Sequence, residues 1–200
     1  MEETTTPQVS LFQHAAKWGA IFGGASIVLT AVAYAVDYTL LADWKFGIVI
    51  ILILLGATIY AGLNYRNQIG GFLAYGKAFQ HGFILLAISG IISTLFTLLL
   101  YTVIDSELPA KLTDVTIENT QKMMEGFGMP EDKMDEAMED AKERAKGQFS
   151  AFGLVKAYGF GLIFYAIISL ITSIFVKKKD RKSTRLNSSH STLSRMPSSA

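Results

Sequence analysis

Four long runs of apolar residues constrain this chain more than any other feature of its sequence. A helix needs about 20 mainly apolar residues to cross the hydrocarbon core of a bilayer. Lipid offers no partners for unpaired backbone groups, so runs of this kind form helices. The runs are apolar at consecutive positions rather than at alternate ones, which excludes the strands of a transmembrane barrel. We therefore predict transmembrane helices over residues 18–36, 46–63, 79–104 and 157–176.

The charged residues are concentrated outside these runs. Residues 105–150 carry 12 Asp and Glu and 6 Lys and Arg, whereas the four runs carry none. The whole chain is 18% charged, against about 25% for an ordinary soluble domain. This segregation excludes a soluble enzyme domain and a disordered chain. It predicts an all-α, polytopic membrane protein whose first partner is the lipid bilayer.

The connection over residues 105–150 is predicted to form an amphipathic helical hairpin outside the membrane, between the third and fourth spans. Apolar residues recur at helical spacing from Leu108 to Phe127 and again from Met134 to Ala145, with Gly128 between the two stripes. Methionine side chains adapt to irregular surfaces, which suits partner binding. The candidate surface for a protein or lipid partner consists of Met123, Met124, Met134 and Met138. The alternative is that the two helices pack on each other or lie on the lipid surface.

The two ends of the chain are interpreted separately from the spans. Residues 1–17 form an N-terminal tail, and the first span is read as a retained anchor. A signal peptide cleaved near Ala33-Tyr34-Ala35 is the alternative, although the apolar run is longer than the usual 7–15 residues. Residues 181–200 switch abruptly to Ser, Thr, Arg and Asn and resemble translated sequencing-adapter read-through. We interpret them as a non-native disordered tail, with a native Ser-rich tail as the alternative.

Basic residues predict the orientation. Four spans place both termini on one side, and Lys177 to Lys179, together with Lys17, Arg66 and Lys77, mark that side as cytoplasmic. The six Lys and Arg residues of the 105–150 connection favour the opposite orientation, with the connection in the cytoplasm. Acidic residues contribute little to this rule, so the acidity of the connection does not alter the prediction.

A stripe of hydroxyl groups on the third span suggests a second function. Ser89, Ser93 and Thr97 follow one another at four-residue steps and share one helix face. Such a face is typical either of a polar path in a small oligomeric transporter or channel, or of hydrogen bonding to a neighbouring helix. The absence of Asp, Glu, Lys and Arg from the interior of the spans argues against an ion-coupled transporter.

Small residues on the first span indicate close helix packing. Gly19 and Gly23 lie on one face, and a small-xxx-small face lets helix backbones approach each other. Packing within the bundle and packing in a homo-oligomer both fit this pattern.

The few chemically active residue patterns do not predict catalysis. His14 and His81 could meet at one membrane face, but no cysteine or carboxylate accompanies them, so we expect no metal site and no cofactor. Gly71, Gly76 and Lys77 have the spacing of a phosphate-binding loop, but Ala78 replaces the hydroxyl residue and no strand precedes the loop. No catalytic motif is present, and no basic face with interleaved aromatic residues suggests nucleic acid. We expect a protein that is not an enzyme.

Several short segments resemble the "domain of unknown function 4199" family. They are Tyr65-Arg66, the run from Gly71 to Phe79, Gly82-Phe83 and Ile104-Asp105. The segment 122–139 is similar to the family's Met-rich acidic connection, while Ser106 stands where the family often has proline. The resemblance covers about residues 15–179 and implies four spans, cytoplasmic termini and a place in a bacterial inner membrane, mostly in Bacteroidota. It implies no activity.

Overall fold

The computed structural model describes residues 9–178, which form six α-helices. Within those residues there is no β-strand, only one isolated bridge. A 3₁₀ turn over Tyr38–Ala42 follows the first helix, and a π turn over Leu100–Ile104 follows the third. The helices are α1 (Leu11–Val36), α2 (Trp44–Gln68), α3 (Tyr75–Leu99), α4 (Leu108–Gly126), α5 (Glu131–Gln148) and α6 (Ala151–Val176).

Four of the helices are long and apolar enough to cross a membrane, namely α1, α2, α3 with its π turn, and α6. The predicted all-α class with four spans of membrane length is therefore confirmed. Each of these helices begins or ends with polar turns beyond the apolar run, so that α1 begins at Leu11 and α2 continues to Gln68. The predicted tail over 181–200 and the first eight residues lie outside the described part of the chain.

Helix α3 is the centre of the bundle. It packs along α1 on one side and α6 on the other, and α2 packs on α6 and α3, whereas α1 and α2 make few contacts with each other. A Cβ atom at Gly19 would lie 2.8 Å from the backbone oxygen of Leu85, and one at Gly23 would lie 2.8 Å from Cβ of Ile92. The small face of α1 is thus used for packing against α3 inside this bundle.

The two ends of the bundle differ in charge. We call the basic end the one formed by the starts of α1 and α3 and the ends of α2 and α6. Its described charged residues are Lys17, Arg66, Lys77, Lys177 and Lys178. Every Asp and Glu of residues 9–178 lies at the opposite end, which we call the acidic end and which includes the α4–α5 hairpin.

Helix α6 is fastened to the basic end through its backbone. Leu73, in the loop between α2 and α3, exchanges two backbone hydrogen bonds of 2.9 Å with Lys178. The guanidinium of Arg66 donates to the Val176 carbonyl at 3.0 Å, and the hydroxyl of Tyr75 donates to the Leu170 carbonyl at 3.0 Å. The Arg66 bond satisfies the carbonyl of Val176, the last residue of α6, which has no partner within the helix.

The α4–α5 hairpin rests on the acidic end through a small apolar cluster. Leu108 and Leu112 of α4 are completely buried against Leu100, Tyr101 and Phe149. Gly128 provides the positive φ of +69° at the turn between α4 and α5. The chain then bends between α5 and α6, because Ser150 caps α6 by accepting a hydrogen bond from the Gly153 amide at 2.9 Å.

Candidate functional site

Two buried histidines join α1 to α3 near the basic end. The side chains of His14 and His81 are 5% and 1% exposed, and Nδ1 of His14 lies 2.8 Å from Nε2 of His81. One of these two nitrogens must carry the hydrogen and the other must offer a lone pair. When both rings are neutral, this hydrogen bond therefore requires that they adopt complementary tautomers, with the hydrogen on only one of the two facing nitrogens.

The other ring nitrogen of His14 has two neighbours with opposite demands. Nε2 lies 3.0 Å from Oδ1 of Asn64 and 3.2 Å from Nε1 of Trp18. An indole N–H only donates, whereas a carbonyl oxygen only accepts. A neutral His14 thus either accepts from Trp18 and donates through Nδ1 to His81, or donates to Asn64 and accepts through Nδ1 from His81.

Helix α2 encloses the two histidines. The ring of Tyr65 stacks on His81 with centroids 5.0 Å apart and an interplanar angle of 11°. The Oδ1 atom of Asn64 also accepts a 2.7 Å hydrogen bond from Gln68. We call His14, Trp18, Asn64, Tyr65 and His81 the histidine cluster. The cluster joins three helices. Its two histidines are buried, so a polar atom there that lost its hydrogen-bond partner would lower the free energy of unfolding.

An open cleft leads from the histidine cluster to the surface of the basic end. It lies between α1 and α2 and has a volume of 380 Å³. Its lining residues are Val9, Gln13, His14, Lys17, Trp18, Asn64 and Gln68. None of these residues is acidic, so the cleft favours a neutral or anionic occupant.

The structure brings His14 and His81 together, but the sequence does not point to the rest of the histidine cluster. Asn64 and Tyr65 stand at the end of an apolar span, where a polar residue is unremarkable, and their rotation toward α1 depends on packing. Among residues 9–178, no three His, Asp or Glu side chains converge as metal ligands would.

The four methionines of the candidate partner surface occupy different environments. Met123 is 56% exposed, whereas Met138 is 9% exposed, and Met124 and Met134 are half-buried. Because α4 and α5 pack on each other, the buried methionine belongs to the interior of the hairpin. Of the four, Met123 is the most accessible to a partner.

Met123 lines a second cavity, at the acidic end, which we call the α2–α4 groove. Its volume is 630 Å³, and its walls come from the 3₁₀ turn, the start of α2 and one face of α4. Trp44 lies at its rim and is 69% exposed, with the ammonium of Lys45 5.9 Å from the centre of the Trp44 ring. The groove thus combines accessible apolar surface with a cation.

The hydroxyl face of α3 lies partly inside the bundle. Ser89 is 4% exposed, and Ser93 and Thr97 are half-buried. The Thr97 hydroxyl donates to the Ser93 carbonyl of its own helix at 3.0 Å. This hydroxyl is therefore engaged in its own helix, a common arrangement for threonine inside a helix.

Asp105 connects the hairpin to the end of α1. Its Oδ1 accepts hydrogen bonds from the backbone amides of Glu107 at 3.1 Å and Leu108 at 3.0 Å, and its Oδ2 accepts from the hydroxyl of Tyr34 at 3.1 Å. Lys111 lies 3.4 Å from Oδ2. Partial burial alone would raise the pKa of Asp105, but the bonds from Tyr34 and Glu107 and the charge of Lys111 outweigh it, and the pKa is lowered from 3.8.

The lowered pKa of Asp105 predicts a loss of stability in acid. A carboxyl group whose pKa is lower in the folded state stabilises the fold above its unfolded pKa, and this contribution is lost as the pH falls through the folded pKa. We expect Asp105→Asn to lower the free energy of unfolding at neutral pH and to have a progressively smaller effect below pH 3.8. Chemical unfolding in detergent micelles at a series of pH values measures this difference. Asp114→Asn, on an exposed part of α4, is the control, and an equal pH dependence in that variant would contradict the prediction.

One of three comparisons with known proteins finds a match for this chain. A family model described as "Protein of unknown function (DUF4199)" matches residues 17–178. The chain belongs to the DUF4199 family. The match covers α2, α3, α6 and the α4–α5 hairpin of this DUF4199 protein in full, and α1 from Lys17 onward, so that His14, near the start of α1, lies before it. No curated protein and no solved structure shows a significant match to this DUF4199 chain.

Proposed function

We propose that this chain is a non-enzymatic, multi-pass protein of the bacterial inner membrane that docks a protein partner through the α2–α4 groove. In this proposal α1, α2, α3 and α6 cross the bilayer, and both termini lie in the cytoplasm. The α4–α5 hairpin stands on the opposite side. The observation that carries the proposal is the α2–α4 groove, where accessible apolar side chains meet outside the apolar spans.

The charge distribution supports the orientation. The basic end carries four lysines and one arginine among residues 9–178, and each lies within a few residues of a span. The bases of the 105–150 connection act against this orientation, but most of them lie farther from the spans. Cytoplasmic loops carry an excess of Lys and Arg, and short loops near the spans determine orientation most strongly. The loop between α2 and α3 and the end of α6 are segments of this kind.

The chemistry of the groove supports a protein segment as its occupant. Trp44 and Met123 provide exposed apolar area, and Thr116, Asn119 and Thr120 provide hydrogen-bonding groups on the α4 wall. Aromatic residues and methionine are enriched at protein interfaces. A partner segment with an apolar anchor would complement this surface. The charges of the groove select neither sign, because Asp43 lines it beside Lys45, and Lys122 is paired with Glu118 at 2.6 Å.

Transport along the hydroxyl face of α3 is the weaker proposal. Ser89 is buried, and the Thr97 hydroxyl is bonded within its own helix. Replacing Ser93 and Thr97 by valine tests the transport proposal. If this face is a transport path, the variant should keep its fold but lose the flux of the transported solute.

The orientation is tested with single cysteines, because the chain has none. We expect a membrane-impermeant maleimide to label Met123→Cys in intact cells and Lys77→Cys only after permeabilisation. Both positions are exposed, so burial does not limit the reaction. The reverse labelling pattern would overturn the proposed orientation.

Docking is tested by placing a photo-crosslinking amino acid, p-benzoylphenylalanine, at Met123 in the full chain in its native membrane. The control places it at Glu139, which is exposed on α5 and does not line the groove. We expect a discrete protein adduct from position 123 and none from position 139. Equal adducts from both positions, or adducts to lipid alone from position 123, would contradict docking of a protein in the groove.

A further inference from the structure

The cleft beside the histidine cluster carries one cation and two side-chain amides at its mouth. Lys17 provides the charge, and Gln13 and Gln68 provide amide donors at its mouth. All three side chains are exposed. No lining residue is a carboxylate, so an anion in the cleft would meet donors without meeting a like charge.

The position of the cleft is that of a membrane surface. It lies between the early turns of α1 and the last turns of α2, beside the level at which the apolar part of each helix begins. Trp18 forms one wall and packs against Tyr60 with ring centroids 5.4 Å apart. Tryptophan and tyrosine side chains of this kind are enriched at the headgroup level of bilayers.

The packing of the helices leaves a lateral path to the cleft. Helices α1 and α2 each pack on α3 but make few contacts with each other. Trp18 and Tyr60 meet across this space with ring centroids 5.4 Å apart, so an acyl chain would lie along the outer surface of α1 and α2 beside that contact while its headgroup occupies the cleft. A soluble anion has no acyl chain and would gain no apolar contact with these helices.

We propose that the cleft binds the phosphate headgroup of an anionic phospholipid from the leaflet that faces the basic end. The inference rests on the membrane insertion contained in the proposed function, but it is independent of the α2–α4 groove. Lys17 pairs with the phosphate, Gln13 donates to its oxygens, and Gln68 adds its second amide hydrogen, since its Nε2 already donates to Asn64. The acyl chains lie against the outer surface of α1 and α2.

The test uses the two tryptophans of the chain, Trp18 and Trp44. In the full chain with Trp44→Phe, the indole emission comes from Trp18 alone, at the wall of the cleft. The protein is reconstituted in vesicles that contain either bromine-labelled phosphatidylglycerol or bromine-labelled phosphatidylcholine. A lysine near a membrane surface contributes about 1 kcal/mol to binding an anionic lipid, which corresponds to about a fivefold preference for phosphatidylglycerol in the quenching of Trp18.

Two matched variants test whether the preference for phosphatidylglycerol arises in the cleft. Lys17→Gln is expected to abolish it, whereas Lys77→Gln, exposed at the same end but absent from the cleft lining, is expected to retain it. Equal quenching by both lipids, or equal losses in both variants, would overturn the proposal. Reversal of the quenching by inorganic phosphate would assign the cleft to a soluble anion and would also overturn it.

Flotation of the vesicles separates this proposal from the one on which it rests. Protein that does not float with the vesicles is not inserted, and both proposals then fail. Protein that floats, with Trp18 quenched equally by the two lipids, leaves the insertion intact and overturns the lipid site alone.

Discussion

Replacing Gly19 by isoleucine is expected to lower the free energy of unfolding by about 1–3 kcal/mol or more, as overpacking of a tight contact does. A Cβ atom at this position would lie 2.8 Å from the backbone oxygen of Leu85 and 3.0 Å from Cβ of Ile88. A backbone oxygen cannot turn aside as a side chain can, so α1 must move away from α3. Because His14 lies about one turn before Gly19 on α1, the same movement should lengthen its hydrogen bond to His81.

Gly24 provides a matched control on the same helix. A Cβ atom at Gly24 would have no neighbour within 4 Å, and isoleucine has a higher helix propensity than glycine. Gly24→Ile should therefore be neutral or slightly stabilising. Unfolding of both variants in mixed micelles, followed by circular dichroism, gives the comparison, and equal losses in the two variants would show that the close contact between α1 and α3 is not the cause.

The second large effect is expected at the histidine pair. His81→Leu leaves Nδ1 of His14 buried without the partner that lies 2.8 Å away, and His14→Leu does the same to Nε2 of His81. A buried polar group that loses its partner costs about 1–3 kcal/mol. Replacing both partners by apolar groups costs less than the sum, so the double variant should be more stable than additivity predicts by about 0.5–3 kcal/mol.

The double-mutant cycle is measured by unfolding in mixed micelles at a pH where both histidines are neutral. Gln13→Leu is the control for adding a leucine near the site, since Gln13 is exposed, and it should change the free energy of unfolding by no more than about 0.5 kcal/mol. Strict additivity of the two histidine substitutions would contradict a direct hydrogen bond between the rings.

The sequence predicts the spans well because their cause is local. A run of apolar residues of membrane length leaves few alternatives to a helix, and antiparallel spans bring His14 and His81 to one end of the bundle. The helix ends are less predictable, since the first turns of α1 include the polar residues Gln13, His14 and Lys17 and do not continue the apolar run. The π turn over Leu100–Ile104 cannot be predicted from hydropathy, because its residues continue the apolar run of α3.

The site residues show where local patterns stop being sufficient. Met123 and Met138 belong to similar apolar stripes, yet one is exposed and the other is buried in the hairpin. The pattern identifies an apolar face on each helix, but it does not identify the residues that pack against that face. The contribution of Asn64 and Tyr65 to the histidine cluster depends likewise on the rotation of α2 about its own axis. Contacts with residues distant in sequence restrict that rotation, such as the close approach of Gly62 to Val176.

The backbone bridge between Leu73 and Lys178 has a consequence for biogenesis. Chains are made from the N-terminus, and early segments fold before late ones, so α1, α2 and α3 are complete before α6 exists. Until then, Gly82 of α3 and Thr58 of α2 lack the Ser169 side chain that packs beside them in the finished bundle. The bridge can close only after almost the whole described chain has been synthesised, so its closure belongs to a late stage of assembly.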